Sequence, residues 1–493
     1  MIKVIDVFAG PGGLGEGFSS FRGREDHRFE LAVSIEKDAV AHRTLRLRAF
    51  ARQFRGQRLP ATYYAHLRGE LDWKGLSASS PAEAWHAERE AVNLALGPNT
   101  VDAVRERIRE ALGKTEDFVL IGGPPCQAYS LVGRARRRGS VDYVPEADER
   151  QTLYVEYLQI LADHAPRAFV MENVKGLLSA QLDSRGIFDR IREDLHDPAR
   201  ALEREGRRPG ARRPKYELRA LVADETISAD DPRRYVIRAE DFGVPQRRHR
   251  VILVGVHTDF RSSLLPALNP ASRTGSVSSA LSELPRLRSG LSKLEDSNES
   301  WLEAVGGAGS RRWMSQVDAD VRARISEVLK NLSAPKAGRG GEFIEGGQAG
   351  LILNHSTRGH IVEDLDRYLF SSCYARERGV SPVLADFPRA LLPAHANVRG
   401  DATDTVFGDR FRTQVSGEPS TTITSHISKD GHYYIHPDPS QCRSLTVREA
   451  ARLQTFPDHY FFCGPRTSQY QQVGNAVPPL LARQIAKSVA ALF

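Results

Sequence analysis

Cys126 stands in a turn whose composition suits a nucleophile. It follows the β-rich run Phe118–Ile121 and the residues Gly-Gly-Pro-Pro, and it precedes Gln-Ala-Tyr-Ser. The glycines and prolines fix the turn, and the prolines and polar neighbours disfavour the buried position that most cysteines occupy. A thiolate at the carboxyl edge of a sheet can attack an electrophilic atom of a bound substrate. The segment therefore predicts covalent catalysis by Cys126.

Three charged residues could assist this nucleophile from neighbouring strands. Glu172 ends the run that starts at Ala168, and Arg248 and Arg250 alternate at the start of a later run. Alternate residues of a strand point to the same side, so both guanidinium groups can be directed at one site. A carboxyl group beside a nucleophile can act as an acid or donate a hydrogen bond to a ring nitrogen.

A glycine-rich segment near the N-terminus predicts a binding loop for a nucleotide-like ligand. Gly10, Gly12 and Gly15 form the pattern G-x-G-x-x-G directly after a β-rich run. Glycines let the backbone approach such a ligand closely, and Glu36 is placed to accept hydrogen bonds from ribose hydroxyls. By itself the pattern fits either a nicotinamide cofactor or S-adenosylmethionine.

Alternating β-rich and helical segments must position these residues. The alternation predicts an α/β fold in which helices cover both faces of a parallel sheet. The Ala-, Glu- and Arg-rich stretch Ala82–Leu112 predicts a helical insertion, and Val477–Phe493 predicts an amphipathic terminal helix. The predicted strands are Lys3–Phe8, Leu31–Ile35, Phe118–Ile121, Ala168–Met171 and Arg250–Val256.

Length and composition limit the classes of protein. The 493 residues suffice for two or three domains, and no apolar stretch approaches the length of a membrane helix. The N-terminus runs directly into a β-rich segment instead of a signal peptide, so we expect a soluble, cytoplasmic protein. Four widely spaced cysteines argue against a disulfide framework and a zinc cluster. The net charge of +7 suits a polyanionic partner.

The regular alternation fades in the second half of the chain, where Gly, Ser, Pro and scattered basic residues dominate. We expect a catalytic domain over residues 1–263, with a helical insertion at about 50–114. A second domain is expected over 264–441, and C-terminal motifs over 442–493 should return to the catalytic domain.

Three segments outside the catalytic motifs allow further predictions. Thr421–Ile427 and Asp430–His436 predict a hairpin. Asn354–His360 spaces its histidines like metal ligands but lacks further close Cys or His, so we expect it to support the domain junction. The arginine-rich segment Arg200–Arg213 predicts a solvated loop rather than a DNA contact.

In this order, the catalytic segments resemble the carbon-5 cytosine-specific DNA methyltransferases of the bacterial type. The resemblance extends to Arg443–Asp458, which begins Arg-Ser-Leu-Thr-Val-Arg-Glu, and to Gln472–Pro479, which contains Gly-Asn-Ala-Val-Pro-Pro. Six motifs in the family's order form a specific pattern. The resemblance implies a Rossmann-like, S-adenosylmethionine-dependent methyltransferase domain with a second, smaller target-recognition domain.

The resemblance also implies roles for individual residues. Cys126 would attack carbon 6 of cytosine, Glu172 would stabilise protonation of ring nitrogen 3, and Arg248 with Arg250 would orient the flipped base and the catalytic groups. Asp102 is the candidate for binding the adenine amino group. Both ends of the chain would share the cofactor pocket, so the first strand and the last helix should touch. The residues that would bind S-adenosylmethionine are Phe8, Gly10, Gly12, Glu36, Pro124, Asn475 and Ala476.

The substrate that the resemblance implies is double-stranded DNA, from which the target cytosine is extruded into the catalytic pocket. The basic loop Gly133–Gly139 could hold phosphates, and residues 264–441 would read bases in the major groove. The compact length resembles bacterial enzymes of restriction–modification or phage-defence systems, whose proteins are candidate partners. We expect a monomer acting in the bacterial cytoplasm, near the nucleoid, with no metal and no membrane.

Three alternatives belong to other classes. A nicotinamide-dependent oxidoreductase explains the glycine loop but leaves the Pro-Pro-Cys-Gln turn and the Gln-x-Arg-x-Arg strand without a role. A tRNA cytosine-5 methyltransferase would use the same chemistry, but the long variable region suits a DNA-reading domain better. A non-catalytic DNA-binding protein would be expected to lack Cys126, Glu172 or the arginines, and all are present.

Overall fold

A computed structural model describes most of the chain, and its contacts form two compact units. The first unit comprises Met1–Gly243, Arg248–Ser272 and Ala476–Phe493. The second comprises Val244–Arg247 and Arg273–Asn475. Within the described stretches, no helix has the length and hydropathy to cross a membrane. These stretches are residues 1–23, 28–125, 149–179, 181–182, 185–223, 226–228, 230–337, 343–344, 352–393 and 408–493.

The secondary structure alternates in the first unit and is mainly helical in the second. The strands of the first unit are β1 (Ile2–Val7), β2 (Phe29–Glu36), β3 (Ala91–Asn93), β4 (Phe118–Gly122), β5 (Ala168–Val174), β6 (Gln181–Leu182), β7 (Arg185–Gly186), β8 (Tyr216–Arg219), β9 (Val236–Arg238) and β10 (His249–His257). Its first helices are α1 (Gly13–Ser20), α2 (Ala39–Gln53), α3 (Ala61–Leu67), α4 (Trp73–Ser79), α5 (Pro81–Glu90), α6 (Val101–Leu112), α7 (Glu149–His164), α8 (Ile187–His196) and α9 (Pro198–Arg204). The second unit contains α10 (Val277–Leu281), α11 (Asn298–Gly306), α12 (Ala319–Lys330), α13 (Val362–Arg378), α14 (Val447–Leu453) and α15 (Arg466–Asn475), and α16 (Pro479–Ala490) belongs to the first.

One eight-stranded sheet organises the first unit. Its strand order is β3-β2-β1-β4-β5-β10-β8, with β9 paired to β10. Neighbours among β1 to β5 are parallel, whereas β10 is antiparallel to β5, β8 and β9. Every residue of β4 is buried, as expected of a parallel strand whose sheet is covered on both faces. All five predicted strands form, but the predicted parallel sheet is wrong for the fifth of them, β10, which is antiparallel to β5.

The predicted helical insertion Ala82–Leu112 contains one strand. It is helical over α5 and α6, but Ala91–Asn93 between them forms β3 and pairs with Ser34–Glu36 of β2. The prediction of a continuous helical segment is therefore wrong at these residues. Their conformation is set by pairing with β2, and a three-residue run carries too little periodicity to signal it.

The terminal helix α16 packs against α1. A Cβ added at Gly17 of α1 would lie only 2.6 Å from the backbone nitrogen of Arg483. Leu481, Ile485 and Val489 of α16 are buried. The amphipathic terminal helix is confirmed, and its contact is with α1, the helix that directly follows the first strand.

The second unit has a core of its own. Trp301 of α11 is buried and its Nε1–H donates to Ser289 Oγ at 2.8 Å. Tyr368, Phe370 and Phe411 belong to the same apolar cluster. Its short strand pairs are β11 (Leu287–Arg288) with β13 (Lys336–Ala337), β12 (Gly290–Leu291) with β16 (Gly359–His360), and β14 (Phe343–Ile344) with β15 (Ile352–Leu353).

The hairpin predicted from Thr421–Ile427 and Asp430–His436 does not form; both runs lie within the described residues. Ser425–Ser428 is a short 3₁₀ helix, and Ile435 makes isolated bridges to residues outside both runs. The Tyr434 hydroxyl instead donates to a backbone oxygen of the first run at 3.1 Å. The two runs are thus connected by a side-chain hydrogen bond and not by the backbone pairing of the predicted hairpin.

Residues 442–475 belong to the second unit. Arg443 and Arg448 are buried there, and the Nε–H of each donates to a backbone oxygen of that unit, at 3.0 and 2.8 Å. Arg443 also donates to both carboxylate oxygens of Glu449, at 2.6 and 2.7 Å. Buried guanidinium groups need such partners. The structure thus differs from the expected return of the whole C-terminal segment, because only Ala476–Phe493 joins the first unit.

Asn354–His360 connects separate parts of the second unit. The side chain of Asn354 exchanges two hydrogen bonds with the backbone of Phe462, at 2.9 and 3.1 Å. The ring nitrogens of His355 contact Thr446 Oγ1 at 2.8 Å and the backbone oxygen of Pro285 at 3.1 Å. The described residues include no cluster of three or more His, Cys, Asp or Glu side chains that could hold a metal ion. The segment therefore serves packing within this unit.

Candidate active site

The glycine loop joins β1 to α1 through three residues in the left-handed backbone conformation. Phe8, Gly10 and Gly12 have positive φ angles of 54°, 57° and 93°. This region is strained for a side chain as large as that of Phe8, and such strain concentrates at functional sites. Gly12 precedes α1 without a capping side chain, and a Cβ at Gly10 would meet no described atom within 4 Å. The N-terminus of α1 can therefore approach a ligand directly.

Glu36 ends β2 beside this loop. Its Oε2 accepts the Gly10 N–H at 2.8 Å and its Oε1 accepts the Asp38 N–H at 2.7 Å. Burial raises the pKa of Glu36, and the two backbone donors act in the opposite direction. Each oxygen keeps a further lone pair, so the carboxylate can fix the loop and still accept hydrogen bonds from ligand hydroxyls.

The C-terminal segment reaches the glycine loop at Ala476. A Cβ at Gly13, the first residue of α1, would lie 3.2 Å from the Cβ of Ala476. Ala476 is buried, and the side chain of Asn475 before it is exposed. The structure thus brings Ala476 to the predicted pocket, next to the start of α1.

At the carboxyl edge of the sheet, the turn after β4 lies against the end of β5. The Nδ2–H of Asn173 donates to the backbone oxygen of Pro124 at 3.2 Å. A Cβ at Gly123 would lie 2.9 Å from Glu172 Oε2. Glu172 therefore stands directly against the turn that leads to Cys126.

An ion pair with Arg250 orients this carboxylate. Arg250 Nε lies 2.8 Å from Glu172 Oε1, and each side chain is 14% exposed. In the β5–β10 pair, Arg250 is opposite Val174 and Ile252 is opposite Glu172, so the ion pair is diagonal across the ladder. Partial burial strengthens such a charge-assisted hydrogen bond relative to one in water. The structure thus brings two of the predicted site residues, Glu172 and Arg250, together at this edge.

Gln246 and Arg248 of the Gln-x-Arg-x-Arg segment are more deeply buried than Arg250. Arg248 is 1% exposed, whereas Arg250 reaches the carboxylate. Gln246 belongs to the second unit, where its Oε1 accepts the Ile423 N–H at 2.7 Å and its Nε2–H donates to the Leu453 oxygen at 3.2 Å. Gln246 therefore connects two backbone segments of the second unit, at Ile423 and Leu453. The role of Arg248 stays a prediction.

Cys126 and the basic loop Gly133–Gly139 lie outside the described residues. Among the other cysteines, Cys373 and Cys442 are buried and Cys463 is partly exposed. Burial raises the pKa of both buried thiols, that of Cys373 to about 12. Such thiols contain almost no thiolate at neutral pH. Neither of them is suited to nucleophilic catalysis.

Two residues near the site were missed from the sequence, and one candidate finds no support. Asn173 follows Glu172 as a polar residue at a strand end, which is the signal that could have identified it. Asp6 is buried, a Cβ at Gly15 would lie 2.9 Å from its Oδ2, and burial raises its pKa well above its usual range. By contrast, the side chain of Asp102 is 94% exposed and pairs with Arg105, so the structure gives it no enclosed ligand position.

The arginine-rich segment Arg200–Arg213 is not simply a solvated loop. It begins within α9, and several of its arginines form ion pairs with the rest of the first unit. Arg207 lies 2.5 Å from Glu156, and Arg212 lies 2.8 Å from Glu116. These partners explain the charge density without a nucleic-acid contact.

Strand order and site together define a class of protein. The sheet of dinucleotide-binding Rossmann domains has the order 3-2-1-4-5-6. In this chain the antiparallel β10 lies between β5 and β8, which separates the fold from that of nicotinamide-dependent enzymes. The glycine loop, Glu36 and Glu172 occupy the carboxyl edge, where open α/β sheets bind ligands. The first unit is a Rossmann-like methyltransferase domain, and the smaller second unit accompanies it.

Comparisons with known proteins identify the family within this class. The model of the family described as C-5 cytosine-specific DNA methylase matches residues 99–198 and 233–491, well over half of the chain. The chain therefore belongs to the C-5 cytosine-specific DNA methylases, and the predicted class of enzyme, DNA (cytosine-5-)-methyltransferase, is confirmed.

Relatives match almost the full length of the chain. The type II methyltransferase M.Bpa9945I of Bacillus paralicheniformis is 31% identical, over 99% of this chain and 98% of its own. The DNA (cytosine-5-)-methyltransferase M.ApeKI of Aeropyrum pernix is 25% identical over 99% and 98%. A solved structure described as an E. coli prophage DNA modification methyltransferase has a TM-score of 0.52 at 18% identity, covers 99% and 98%, and supports the fold.

Proposed function

We propose that the chain transfers a methyl group from S-adenosylmethionine to carbon 5 of a flipped-out cytosine in a specific sequence of double-stranded DNA, through a covalent adduct with Cys126. The observation that carries this proposal is the Glu172–Arg250 ion pair at the end of β5. It supplies an oriented carboxyl group against the Gly123–Pro124 turn, two residues before the cysteine.

The pocket around the glycine loop fits S-adenosylmethionine. A Cβ at Gly10 would meet no described atom within 4 Å, Gly12 at the N-cap of α1 has no capping side chain, and Glu36 presents spare lone pairs to ribose hydroxyls. Phe8 and Ala476 border the same loop, and Asn475 and Pro124 complete the proposed set by sequence position. When bound, S-adenosylmethionine would supply an electrophilic methyl group on a sulfonium.

The covalent step activates an otherwise unreactive carbon. The Cys126 thiolate forms a bond to carbon 6, and the electron pair of the 5,6 double bond becomes available at carbon 5, which then takes the methyl group. Glu172 holds a proton at ring nitrogen 3, where negative charge would otherwise accumulate. A base removes the carbon 5 proton, the double bond re-forms, and the bond between carbon 6 and sulfur breaks.

Arg250 and Arg248 act on the geometry of this step. Arg250 fixes Glu172 through Oε1, which leaves Oε2 on the side of the Gly123 turn. With one oxygen held by a cation, the carboxyl group can place the other toward the ring nitrogen without losing its orientation. Arg248, being buried, would support the start of β10.

The names of the relatives suggest the biological setting. M.Bpa9945I is a type II methyltransferase, which favours a role in restriction–modification or phage defence with a nuclease or defence protein as partner. The second unit would be the target-recognition domain that reads bases in the major groove. The enzyme would act as a monomer in the bacterial cytoplasm.

Transfer of labelled methyl groups tests the reaction. Wild type, Cys126→Ser and the control Cys463→Ser are incubated with labelled S-adenosylmethionine and either mixed bacterial DNA or tRNA, and modified bases are mapped. We expect wild type and Cys463→Ser to label carbon 5 of cytosine in one DNA sequence, and Cys126→Ser to be inactive.

Two results would contradict the proposal. Labelling of tRNA but not DNA would show that the substrate is wrong although the chemistry is right. Labelling of DNA by Cys126→Ser would remove the covalent adduct from the mechanism.

A further inference from the structure

Helix α1 is a weak helix that nevertheless carries the glycine loop. Three of its eight residues, Gly13, Gly15 and Gly17, are glycines, which are poor helix formers. Its N-cap residue, Gly12, contributes no side-chain cap. Contacts with other elements must therefore hold its first turn in place.

Glu16 makes such a contact from the first turn itself. Its backbone N–H donates to the Gly12 oxygen at 2.8 Å and so closes the first turn on the glycine loop. Its carboxylate accepts two hydrogen bonds from Arg48 of α2, at 2.6 and 2.8 Å, and lies 3.6 Å from Arg52. This bidentate geometry resists rotation of the helix.

The insertion supplies the last member of the network. Glu90, at the end of α5, pairs with Arg52, and the side chains of Glu16, Arg48, Arg52 and Glu90 are only 7% to 13% exposed. At this burial a charge that loses its partner is costly, so the four groups hold one another in a single arrangement. The network connects α5 to α2 and α2 to α1.

We propose that Glu16, Arg48, Arg52 and Glu90 are positioning residues for methyl-donor binding: they hold the first turn of α1, and with it the glycine loop, in the conformation that binds S-adenosylmethionine. This assigns a role to α5 of the insertion. The inference rests on the proposed function, because it assumes that the glycine loop binds this donor.

A double-mutant cycle with a matched control tests it. The variants are Glu16→Gln, Arg48→Gln, their double, Glu90→Gln, and Arg48→Lys as the conservative replacement. The control pair is Arg105→Gln and Asp163→Asn, because Arg105 of α6 also donates twice to a buried carboxylate, at 2.9 and 3.0 Å, and its ion-pair partners, Asp163 and Asp102, belong to neither α1 nor the glycine loop. Calorimetry measures the dissociation constant of S-adenosylmethionine, and denaturation measures the free energy of unfolding.

We expect the dissociation constant to rise about tenfold in Glu16→Gln and in Arg48→Gln, with no further rise in the double variant and partial recovery in Arg48→Lys. KM for the donor should rise in parallel while kcat at saturation changes little. The control variants should lose stability to a similar extent yet keep the wild-type dissociation constant. Glu90→Gln, the most remote change, should show a smaller rise and stay folded.

The outcomes separate the two proposals. A wild-type chain that fails to bind S-adenosylmethionine would overturn the proposed function, and this inference with it. A wild-type chain that binds, with variants that bind equally well or with controls that weaken equally, would overturn the inference alone.

Discussion

Gly122, the last residue of β4, and Gly123, the first residue of the turn after it, are neighbours, yet replacing each by alanine should have different consequences. A Cβ at Gly122 would lie 2.5 Å from the backbone oxygen of Val7, whereas a Cβ at Gly123 would lie 2.9 Å from Glu172 Oε2. The first obstacle is part of the sheet backbone, whereas the nearest atom at Gly123 is the end of a side chain, with the backbone oxygen of Glu172 next at 3.3 Å. The pair therefore distinguishes a structural glycine from one that leaves room for a catalytic group.

At Gly123 the carboxylate has to withdraw by about 0.5 Å, since ordinary contacts begin at 3.4 Å. The movement disturbs its 2.8 Å contact with Arg250. A misplacement of about 1 Å can cost roughly a hundredfold in rate, so kcat should fall about ten- to a hundredfold. Because the side chain can move, the free energy of unfolding should stay within about 1 kcal/mol of wild type.

At Gly122 the neighbouring atom cannot withdraw, because Val7 and Gly122 are paired in the β1–β4 ladder. Overpacking in a core typically costs about 1–3 kcal/mol, and a backbone obstacle places this variant at the upper end. Urea denaturation of Gly122→Ala should therefore show a loss of about 2–3 kcal/mol. Its folded fraction should lose less kcat than Gly123→Ala does.

The assay is single-turnover methyl transfer with saturating donor and DNA, alongside urea denaturation of each variant. A Gly123→Ala protein with the wild-type kcat would refute the assignment of Glu172 to the reacting base. Equal loss of stability in both variants would mean that the carboxylate is as immovable as the sheet.

Three further predictions concern stability. Gly17→Ala should destabilise the first unit by about 1–3 kcal/mol in urea denaturation, because α16 leaves no space for the added methyl group; wild-type stability would show that the two helices can separate. Burial lowers the pKa of His355 and His436 from 6.5 to about 4, so their contribution to stability is complete above about pH 6.5 and is lost as the pH falls toward 4. Each histidine should lower the free energy of unfolding by about 2 kcal/mol between about pH 7 and pH 5. A free energy of unfolding that stays constant over that range would contradict this prediction. Arg207→Gln should lower the free energy of unfolding by about 1–3 kcal/mol, because Glu156 loses its partner. The salt dependence of DNA binding should stay unchanged; a weaker dependence in the variant would indicate that Arg207 contacts a phosphate.

Five of the eight strands of the main sheet could be predicted because they are apolar runs separated by helical segments, whereas β3, β8 and β9 were not predicted. β1, β2, β4, β5 and β10 all contain four or more largely buried residues, and such runs are recognisable without tertiary information. β3 could not be found, since its three residues follow α5 without a break and owe their conformation to the edge of β2.

The catalytic edge was predictable for a geometric reason. Parallel neighbours such as β4 and β5 end at the same edge, so residues after them must meet, and Gly123 and Glu172 do. The unequal positions of Arg248 and Arg250 were not predictable, because alternation gives the side of the strand but not the depth of burial. The pairing of Glu16 with Arg48 and Arg52 was not predictable either, because these arginines lie on a different helix and only tertiary packing brings them to Glu16.

The arginines of this chain have different roles that their positions in the sequence do not reveal. The net charge of +7 is a small difference between 69 basic and 62 acidic residues. Arg443 and Arg448 are buried and hydrogen-bonded inside the second unit. Arg207 and Arg212 form ion pairs with carboxylates of the first unit. An arginine run therefore does not by itself predict a phosphate contact, and a single arginine at the start of a strand, such as Arg250, can be the one that holds a reacting group. What distinguishes them is the carboxylate each one meets: Arg250 meets one at the carboxyl edge of the sheet, where the ligand binds.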